Sequence, residues 1–181
     1  RPVSPYAASK LATEAYTLAW GHSYDMPVLA LRLFNVFGPL QPPLHAYAAV
    51  IPAFLSAAMQ DQPLPVHGDG TQCRDFTYVD TVVSVIVDAI ERRVSHLEPL
   101  NLAFGKKITL LEVISELETI LDRPLEVEFQ PSRAGDVASS QADSSALKRL
   151  FPGVTPSDFA DGLRTTAGWF ESTRPWVSSG G

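Results

Sequence analysis

The stretch that decides the fold is SPYAASKLATEAYTLAW, at residues 4–20. Ser4 is a residue type that caps helices, and Pro5 suits a first helical position, where the backbone needs no N–H partner. The pattern therefore predicts a helix from Pro5 to about Trp20, which stops near Gly21. The apolar run VLALRLF, at residues 28–34, then predicts a buried parallel strand. A helix followed by such a strand is one α/β repeat.

Helices and short strands alternate along the rest of the chain. The pattern of apolar residues predicts further helices at about 48–60, 80–93, 110–121, 144–150 and 157–170. It predicts extended segments at 64–67, 100–104 and 125–129. Thr109, with Glu112 three residues later, forms a capping-box pattern at the start of one helix. The alternation indicates an α/β protein.

The composition is that of an ordinary globular protein, with 181 residues of which 45% are hydrophobic and 19% charged. The formal net charge of −6 argues against a nucleic-acid or anionic-membrane surface. Cys73 is the only cysteine, so no internal disulfide can form, and a reducing cytoplasm is the simplest interpretation. The four histidines show no metal-binding spacing, so we expect no metal.

Tyr6 and Lys10 are four residues apart, which places both side chains on one face of the first helix. A nearby ammonium favours the phenolate form of a tyrosine, as does the positive charge of an oxidised nicotinamide. Such a tyrosine could accept a proton from a sugar hydroxyl while the cofactor takes hydride from the same carbon. Taken alone, the pair is better explained as a surface lysine beside a half-buried tyrosine.

Four motifs extend the evidence beyond this pair. They are SPYAASKLATE at residues 4–14, LRLFNVFGP at 31–39, HGDGTQCRDFTYVD at 67–80 and RAGDV at 133–137. In this order they resemble the extended short-chain dehydrogenase/reductase family of NAD-dependent epimerases and dehydratases. The resemblance covers nearly the whole chain, and it is greatest to UDP-glucose and UDP-N-acetylglucosamine 4-epimerases.

The resemblance implies a fold and a division into domains. The fold class is α/β, the C-terminal part of a Rossmann-type parallel sheet plus a smaller α/β substrate-binding domain. Residues 1–44 would end the NAD-binding domain, and 45–181 would mainly bind the nucleotide sugar, with 76–104 returning to the Rossmann sheet. The family's Gly-rich turn and its upstream catalytic Ser or Thr do not occur in this sequence. We therefore expect the chain to begin inside a larger protein, which the resemblance predicts to be a homodimer.

The resemblance also assigns the site residues that surround the cofactor and the diphosphate. Tyr6 and Lys10 would be catalytic and would contact NAD together with Phe34. Asn35 would hydrogen-bond the substrate diphosphate. The remaining residues of the predicted nucleotide-sugar site are Ala49, Val50, Pro65, Val66 and His67 around the uracil, Arg74 and Arg133 on the diphosphate, Asp136 on a ribose hydroxyl, and Ser140 beside the sugar.

Two guanidinium groups suit two linked phosphates, because each can bond bidentately. Singly, these residues have simpler explanations. Asn35 and Asp136 suit turns or helix caps, the arginines suit a solvated surface, and His67 suits a polar loop.

Two features favour an epimerase of N-acetylated sugars. HAYAAVIP, at residues 45–52, looks like the equivalent segment of bacterial UDP-N-acetylglucosamine 4-epimerases. Ser140 falls where strict UDP-galactose epimerases carry a tyrosine, and a small residue leaves room for a 2-acetamido group. A UDP-glucuronate decarboxylase and a dTDP-hexose 4,6-dehydratase remain alternatives, as does a nucleotide-sugar-binding module without catalysis. We expect the 181-residue chain by itself to be inactive.

Overall fold

The structure is a computed structural model that describes residues 2, 4–43, 49–132 and 142–177. The helices in these ranges are α1 (Pro5–Tyr24), α2 (Val50–Met59), α3 (Val79–Glu91), α4 (Leu110–Leu121), α5 (Ser145–Leu150) and α6 (Phe159–Thr173). The strands are β1 (Leu31–Leu33), β2 (Asn35–Phe37), β3 (Leu64–His67), β4 (Cys73–Tyr78), β5 (Leu100–Leu102), β6 (Lys107–Thr109) and β7 (Val127–Gln130). None of the described helices has the length and apolar character needed to cross a membrane.

Most strand pairs are parallel. β1 pairs with β5, β2 with β4 and β3 with β7, all in parallel, whereas β4 and β6 are antiparallel. The register of the β2–β4 pair places Asn35 opposite Phe76, and that of the β3–β7 pair places His67 opposite Gln130. Helices connect the parallel strands, as such connections require. The α/β fold class predicted from the sequence is confirmed.

The first predicted strand is wrong in its extent. Residues 28–34 do not form one strand, because β1 begins at Leu31 and a second strand, β2, begins after Phe34. The Val36 N–H donates to the Phe34 carbonyl at 3.0 Å, so the chain makes a tight local turn there. Before this turn, β1 pairs with β5. After it, β2 pairs with β4. The apolar run continues through the turn, so the sequence pattern does not reveal it.

Helix α1 begins as predicted and ends later than predicted. Ser4 Oγ accepts a hydrogen bond from the Ala7 N–H at 3.1 Å, and Pro5 occupies the first position. The helix continues through Gly21, which the sequence marked as its end, to Tyr24. A Cβ atom on Gly21 would lie 2.4 Å from a methyl carbon of Val28. This glycine therefore permits close packing of the segment after the helix and does not stop the helix.

Helix α4 has the predicted bounds and the predicted capping box. Thr109 Oγ1 accepts from the Glu112 N–H at 3.1 Å, and Glu112 Oε2 accepts from the Thr109 N–H at 2.6 Å. These bonds to the backbone and hydroxyl of Thr109 lower the pKa of Glu112. Strand β6, which ends at Thr109, was not predicted. It is only three residues long and depends on its partner β4.

The buried side chains form two clusters. The larger core brings together α2, β3, α4 and α6 with the β2–β4 pair, through residues such as Phe37, Phe54, Leu55, Leu64, Val66, Tyr78, Val113, Leu117, Leu163 and Phe170. The smaller core joins α3, β5 and α5, through Val82, Val85, Leu100, Leu102, Leu147 and Phe151, with Leu31 and Val36 packed against it. The division into two functional domains at residue 44 stays a prediction.

Candidate functional site

Helix α1 presents Tyr6 and Lys10 together. Lys10 Nζ lies 5.4 Å from the centroid of the Tyr6 ring, within the range of a cation–π contact. The Tyr6 side chain is 72% exposed, so its hydroxyl is accessible to a ligand. Both residues fall in the first turns of the helix, which the Ser4 cap and Pro5 fix in place. The structure thus forms the predicted pair, with a positive charge beside the phenol.

An open cleft runs between α1 and β1. Tyr6, Lys10 and Glu14 line one side, and Leu31–Leu33 line the other, around a volume of about 840 Å³. A bidentate ion pair joins the two sides of the cleft, where Arg32 Nε and Nη2 each donate to a Glu14 carboxylate oxygen at 2.6 Å. The guanidinium lowers the pKa of Glu14, and the carboxylate raises that of Arg32. This pair, to which the sequence motifs gave no role, fixes α1 against the strand.

Asn35 lies at the start of β2, directly after the turn at Phe34. Its side-chain amide donates to the backbone carbonyl of Asp75 in the neighbouring strand β4, at 3.3 Å. Asn35 and Phe34 are both half-buried. The parallel β2–β4 pairing therefore brings Asn35 next to the strand that carries Arg74.

Arg74 is half-buried in β4, opposite Ile108 of β6. Its Nη1 donates to the Cys73 carbonyl at 3.0 Å. Two of the predicted diphosphate ligands, Asn35 and Arg74, thus lie on adjacent strands. Strand pairing brings these two residues close together, although they are about 40 residues apart in the sequence.

Pro65, Val66 and His67 belong to β3, which pairs with β7. The Val66 side chain is fully buried in the larger core, whereas Pro65 and His67 are half-buried. Val66 can therefore face a ligand only through its backbone. His67 Nδ1 donates to the Pro131 carbonyl at 3.3 Å, and the His67 carbonyl accepts from Gln72 Nε2. These bonds hold the histidine at the end of the strand.

The loop after His67 turns sharply. Gly68 and Gly70 have φ values of 86° and 80°, in the left-handed region that glycine adopts without strain. Asp69 Oδ1 accepts from the backbone N–H and the hydroxyl of Thr71, at 2.9 and 2.7 Å. These two bonds lower the pKa of Asp69. The turn leads the chain from β3 into β4 and hence from His67 to Arg74.

The other predicted ligands have less structural definition. Ala49 and Val50 form the N-terminus of α2, where Ala49 occupies the cap position without a capping side chain. Arg133, Asp136 and Ser140 lie outside the described residues, as do residues 45–48 of the predicted N-acetylhexosamine segment. In the ranges that are described, no cluster of three or more His, Cys, Asp or Glu side chains could hold a metal ion.

The fold and the site together define a Rossmann-type α/β protein with a Tyr–Lys pair on a helix beside a parallel strand. The model of the NAD dependent epimerase/dehydratase family matches residues 1–103, and the chain belongs to this family. The family is NAD-dependent, which confirms NAD as the predicted cofactor. In this chain, the cleft beside α1 offers the phenol of Tyr6, the ammonium of Lys10 and an apolar wall at Leu31 and Leu33.

Individual relatives agree with the family assignment. An uncharacterized UDP-glucose epimerase of Bacillus subtilis is 32% identical over 173 residues, which are 94% of this chain and 53% of the relative. Among solved structures, the UDP-N-acetylglucosamine 4-epimerase from Methanobrevibacter ruminantium, in complex with UDP-N-acetylmuramic acid, superposes with a TM-score of 0.88 at 36% identity. This match covers 95% of the chain and 55% of that structure.

A second similar structure contains a nucleotide sugar and NAD together. The UDP-glucuronic acid 4-epimerase from Bacillus cereus, in complex with UDP-glucuronic acid and NAD, superposes with a TM-score of 0.84 at 30% identity, over 95% of this chain and 54% of that structure. In each of these comparisons the chain spans about half the length of the relative.

Proposed function

We propose that the chain is the C-terminal portion of an NAD-dependent nucleotide-sugar 4-epimerase that acts on UDP-hexoses. The observation that carries this proposal is the Tyr6–Lys10 pair, with the Lys10 ammonium 5.4 Å from the Tyr6 ring centroid at the edge of an open cleft. The relatives named above include epimerases of three different UDP-sugars, so the class of reaction has more support than any one substrate.

The proposed roles follow from the chemistry of the two side chains. NAD, when bound, supplies reversible hydride transfer at the sugar carbon, which forms and then reduces a 4-keto intermediate. Tyr6 takes the proton of the C4 hydroxyl as the ketone forms and returns a proton as the ketone is reduced. Lys10 favours the phenolate that the first step needs and can hydrogen-bond a ribose hydroxyl. The Arg32–Glu14 pair holds α1, and with it Tyr6, against β1.

The substrate diphosphate is proposed to lie across the adjacent strands β2 and β4. Asn35 and Arg74 supply donors there, and Arg133 supplies a second guanidinium. His67, Pro65 and Val66, at the end of β3, would frame the uracil with Ala49 and Val50. Asp136 would accept from the ribose.

A 2-acetamido sugar is the proposed preference, because Ser140 is small. In the full-length protein, replacing Ser140 with Tyr should lower kcat/KM for UDP-N-acetylglucosamine by about 5- to 150-fold relative to UDP-glucose, the effect of a steric clash with the larger substrate. An equal loss of kcat/KM for both substrates would show that residue 140 does not determine substrate specificity.

Three other activities fit parts of the same site. A UDP-glucuronate decarboxylase or a dTDP-hexose 4,6-dehydratase would use the same Tyr–Lys pair, and the family description names dehydratases as well as epimerases. A nucleotide-sugar-binding module would bind without turnover. The Tyr6–Lys10 pair favours an enzyme over such a module, because binding alone needs no tyrosine beside an ammonium.

The test is to incubate the full-length protein and NAD with UDP-glucose, UDP-N-acetylglucosamine, UDP-glucuronate or dTDP-glucose, and to identify products by NMR. A C4 epimer supports the proposal. A UDP-pentose or a 4-keto-6-deoxy sugar would assign the chain to one of the competing enzymes, and unchanged substrate bound at micromolar affinity would indicate the binding module.

The full-length protein is further proposed to be a cytoplasmic homodimer. The chain has a single cysteine, as suits a reducing compartment. Large apolar side chains are exposed on two helices, namely Leu11, Tyr16, Trp20 and Tyr24 on α1 and Val83, Ile86, Val87 and Ile90 on α3. Helices with such exposed faces need further packing partners. Light scattering that shows a monomer at every concentration would reject the dimer.

A further inference from the structure

Glu14 follows Lys10 by four residues on α1, so the two side chains are neighbours on one face of the helix. Helical Cα–Cβ bonds tilt toward the N-terminus, so Glu14 leans toward Lys10 as Lys10 leans toward Tyr6. All three side chains line the cleft beside β1. If Glu14 paired with Lys10, its carboxylate would offset the positive charge that the proposed function needs beside the phenol.

Arg32 engages the Glu14 carboxylate from the opposite side of the cleft. Its Nε and Nη2 each donate to a different Glu14 oxygen at 2.6 Å, so both oxygens are occupied. A planar guanidinium matches a carboxylate through two parallel bonds, which the ammonium of a lysine does not reproduce. The Glu14 side chain is only 17% exposed, and salt screens such a partly buried pair less than an exposed one. Arg32 is therefore the stronger competitor for this carboxylate.

The Lys10 ammonium lies beside the phenol and not beside the carboxylate. Its Nζ is 5.4 Å from the centroid of the Tyr6 ring. In the part of the chain that the structure describes, no ion pair joins Lys10 to an acidic side chain. The positive charge and the three N–H donors of Lys10 are thus available to Tyr6 and to a ligand in the cleft.

We infer that Arg32 is a positioning residue, which holds the Glu14 carboxylate away from Lys10 and so keeps the ammonium available to Tyr6 and to NAD. The inference rests on the proposed function, in which Lys10 favours the phenolate and hydrogen-bonds a ribose hydroxyl. Joining α1 to β1 requires both members of the Arg32–Glu14 pair. Keeping the carboxylate from Lys10 requires Arg32 alone, and this difference between the two residues can be measured.

The experiment compares Arg32→Gln, Glu14→Gln and the double variant in the full-length protein with NAD. Each variant breaks the same ion pair, so each loses the same connection between α1 and β1. Only Arg32→Gln leaves a carboxylate at position 14 that is free to pair with Lys10. Arg92→Gln is the matched control, because Arg92 also donates two bonds to one carboxylate, that of Asp88 on α3, away from the cleft.

Turnover should distinguish the two single variants. The kcat of Arg32→Gln, with the UDP-sugar that the protein converts, should be about 5- to 20-fold below that of Glu14→Gln. An exposed ion pair favours the new Lys10–Glu14 contact by up to about fivefold, and a carboxylate near the phenol disfavours the phenolate further. The double variant should match Glu14→Gln, because it lacks the competing carboxylate. KM for the UDP-sugar should differ by less than about twofold among the three variants.

Two further measurements do not depend on turnover. The Kd for NAD, measured by calorimetry, should be about 2- to 5-fold higher in Arg32→Gln than in Glu14→Gln, since Lys10 then shares its donors with a carboxylate. In a crystal structure of Arg32→Gln, Lys10 Nζ should lie within about 4 Å of a Glu14 carboxylate oxygen, the distance of an ion pair. Arg92→Gln should leave kcat and the Kd for NAD unchanged, whatever its effect on Tm.

The outcomes separate this inference from the proposed function. Equal kcat values in Arg32→Gln and Glu14→Gln would overturn the inference, because loss of the ion pair alone would explain both. A double variant as slow as Arg32→Gln would overturn it too, since removal of the carboxylate would then restore nothing. If the unchanged protein converts no nucleotide sugar, the proposed function fails. The crystal structure of Arg32→Gln then decides the inference, which a Glu14 carboxylate still remote from Lys10 would overturn.

Discussion

Helices α1 and α2 lie at opposite extremes of burial. α1 carries the proposed catalytic pair, and α2 begins at Val50, a residue of the proposed uracil site. α2 buries seven of its ten residues in the larger core, next to the strand that ends at His67. α1 buries only Gly21 of its twenty, although it carries Tyr6 and Lys10. Since an amphipathic helix is stable mainly through packing, α1 needs surfaces beyond those that the described residues supply. Among the described residues, the segment beside the proposed uracil site is thus well packed, whereas the helix with the proposed catalytic pair is exposed.

The contrast predicts that the two sides respond differently to substitution. Tyr6→Phe in the full-length protein should give the largest effect, a fall in kcat of about 10²- to 10⁴-fold, because the hydroxyl that transfers the proton is lost. The Kd for the UDP-sugar should stay within a few-fold, since the ring remains. The variants to compare are Tyr6→Phe and Tyr16→Phe, which is on the same helix and 74% exposed. A near-normal kcat in Tyr6→Phe would show that Tyr6 is not the acid–base residue.

The next prediction tests the difference in burial between α1 and the larger core. In the 181-residue chain, Leu64→Ala should lower the free energy of unfolding by about 2–5 kcal/mol, because Leu64 is fully buried in the larger core. Leu11→Ala on α1 should change it by less than about 0.5 kcal/mol, because Leu11 is 49% exposed. Urea unfolding of both variants measures the two values. Similar losses would mean that α1 is as firmly packed as β3.

Arg74→Ala tests the substrate side of the comparison. In the full-length protein it should raise the Kd for UDP by about 10- to 150-fold, equivalent to the ~1.5–3 kcal/mol of a charge-assisted hydrogen bond, with a smaller change in kcat. Arg164→Ala is the control, since Arg164 is exposed and pairs with Asp161 on α6. A fall in kcat without a change in Kd would indicate that Arg74 acts in the chemical step and not in substrate binding.

The smallest effect concerns the ion pair of Arg32 and Glu14, which joins α1 to β1. Arg32 lowers the pKa of Glu14 below the ordinary value of 4.5, so the pair stabilises the fold above that pH and loses this contribution as the pH falls through the lowered pKa. For an ion pair with a half-exposed arginine, about 0.2–1 kcal/mol is expected. A double-mutant cycle of Glu14→Gln and Arg32→Gln at pH 7 and pH 3 measures it. A coupling energy that is larger at pH 3 would contradict the assignment.

Local signals in the sequence predicted local structure well. The cap at Ser4 and the capping box of Thr109 and Glu112 involve residues three apart, and both occur as predicted. The turn at Phe34 was missed because it depends on which strand lies alongside, and Gly21 was misinterpreted because its neighbour Val28 follows the helix. Contacts between segments that are distant in the sequence decide such features. A local sequence pattern carries no information about those contacts.

The site shows the same limit. The motifs named Asn35 and Arg74, and strand pairing then placed them on adjacent strands. They gave no role to the Arg32–Glu14 pair, because the two residues are 18 positions apart and the sequence does not show that their side chains meet. The roles of the predicted site residues stay predictions until variants are measured.

The Tyr6–Lys10 pair is proposed to serve a 4-epimerase, and the fate of deuterium during the reaction tests this proposal. The full-length protein, NAD and the UDP-sugar are incubated in D₂O, and the product is examined by NMR and mass spectrometry. Hydride that leaves C4 for the cofactor and returns to C4 does not exchange with solvent, whereas a proton removed from the carbon next to a ketone does. A 4-epimerase should give a C4 epimer with no deuterium bound to carbon. A product that has lost water and carries deuterium on carbon, or no product at all, would contradict it.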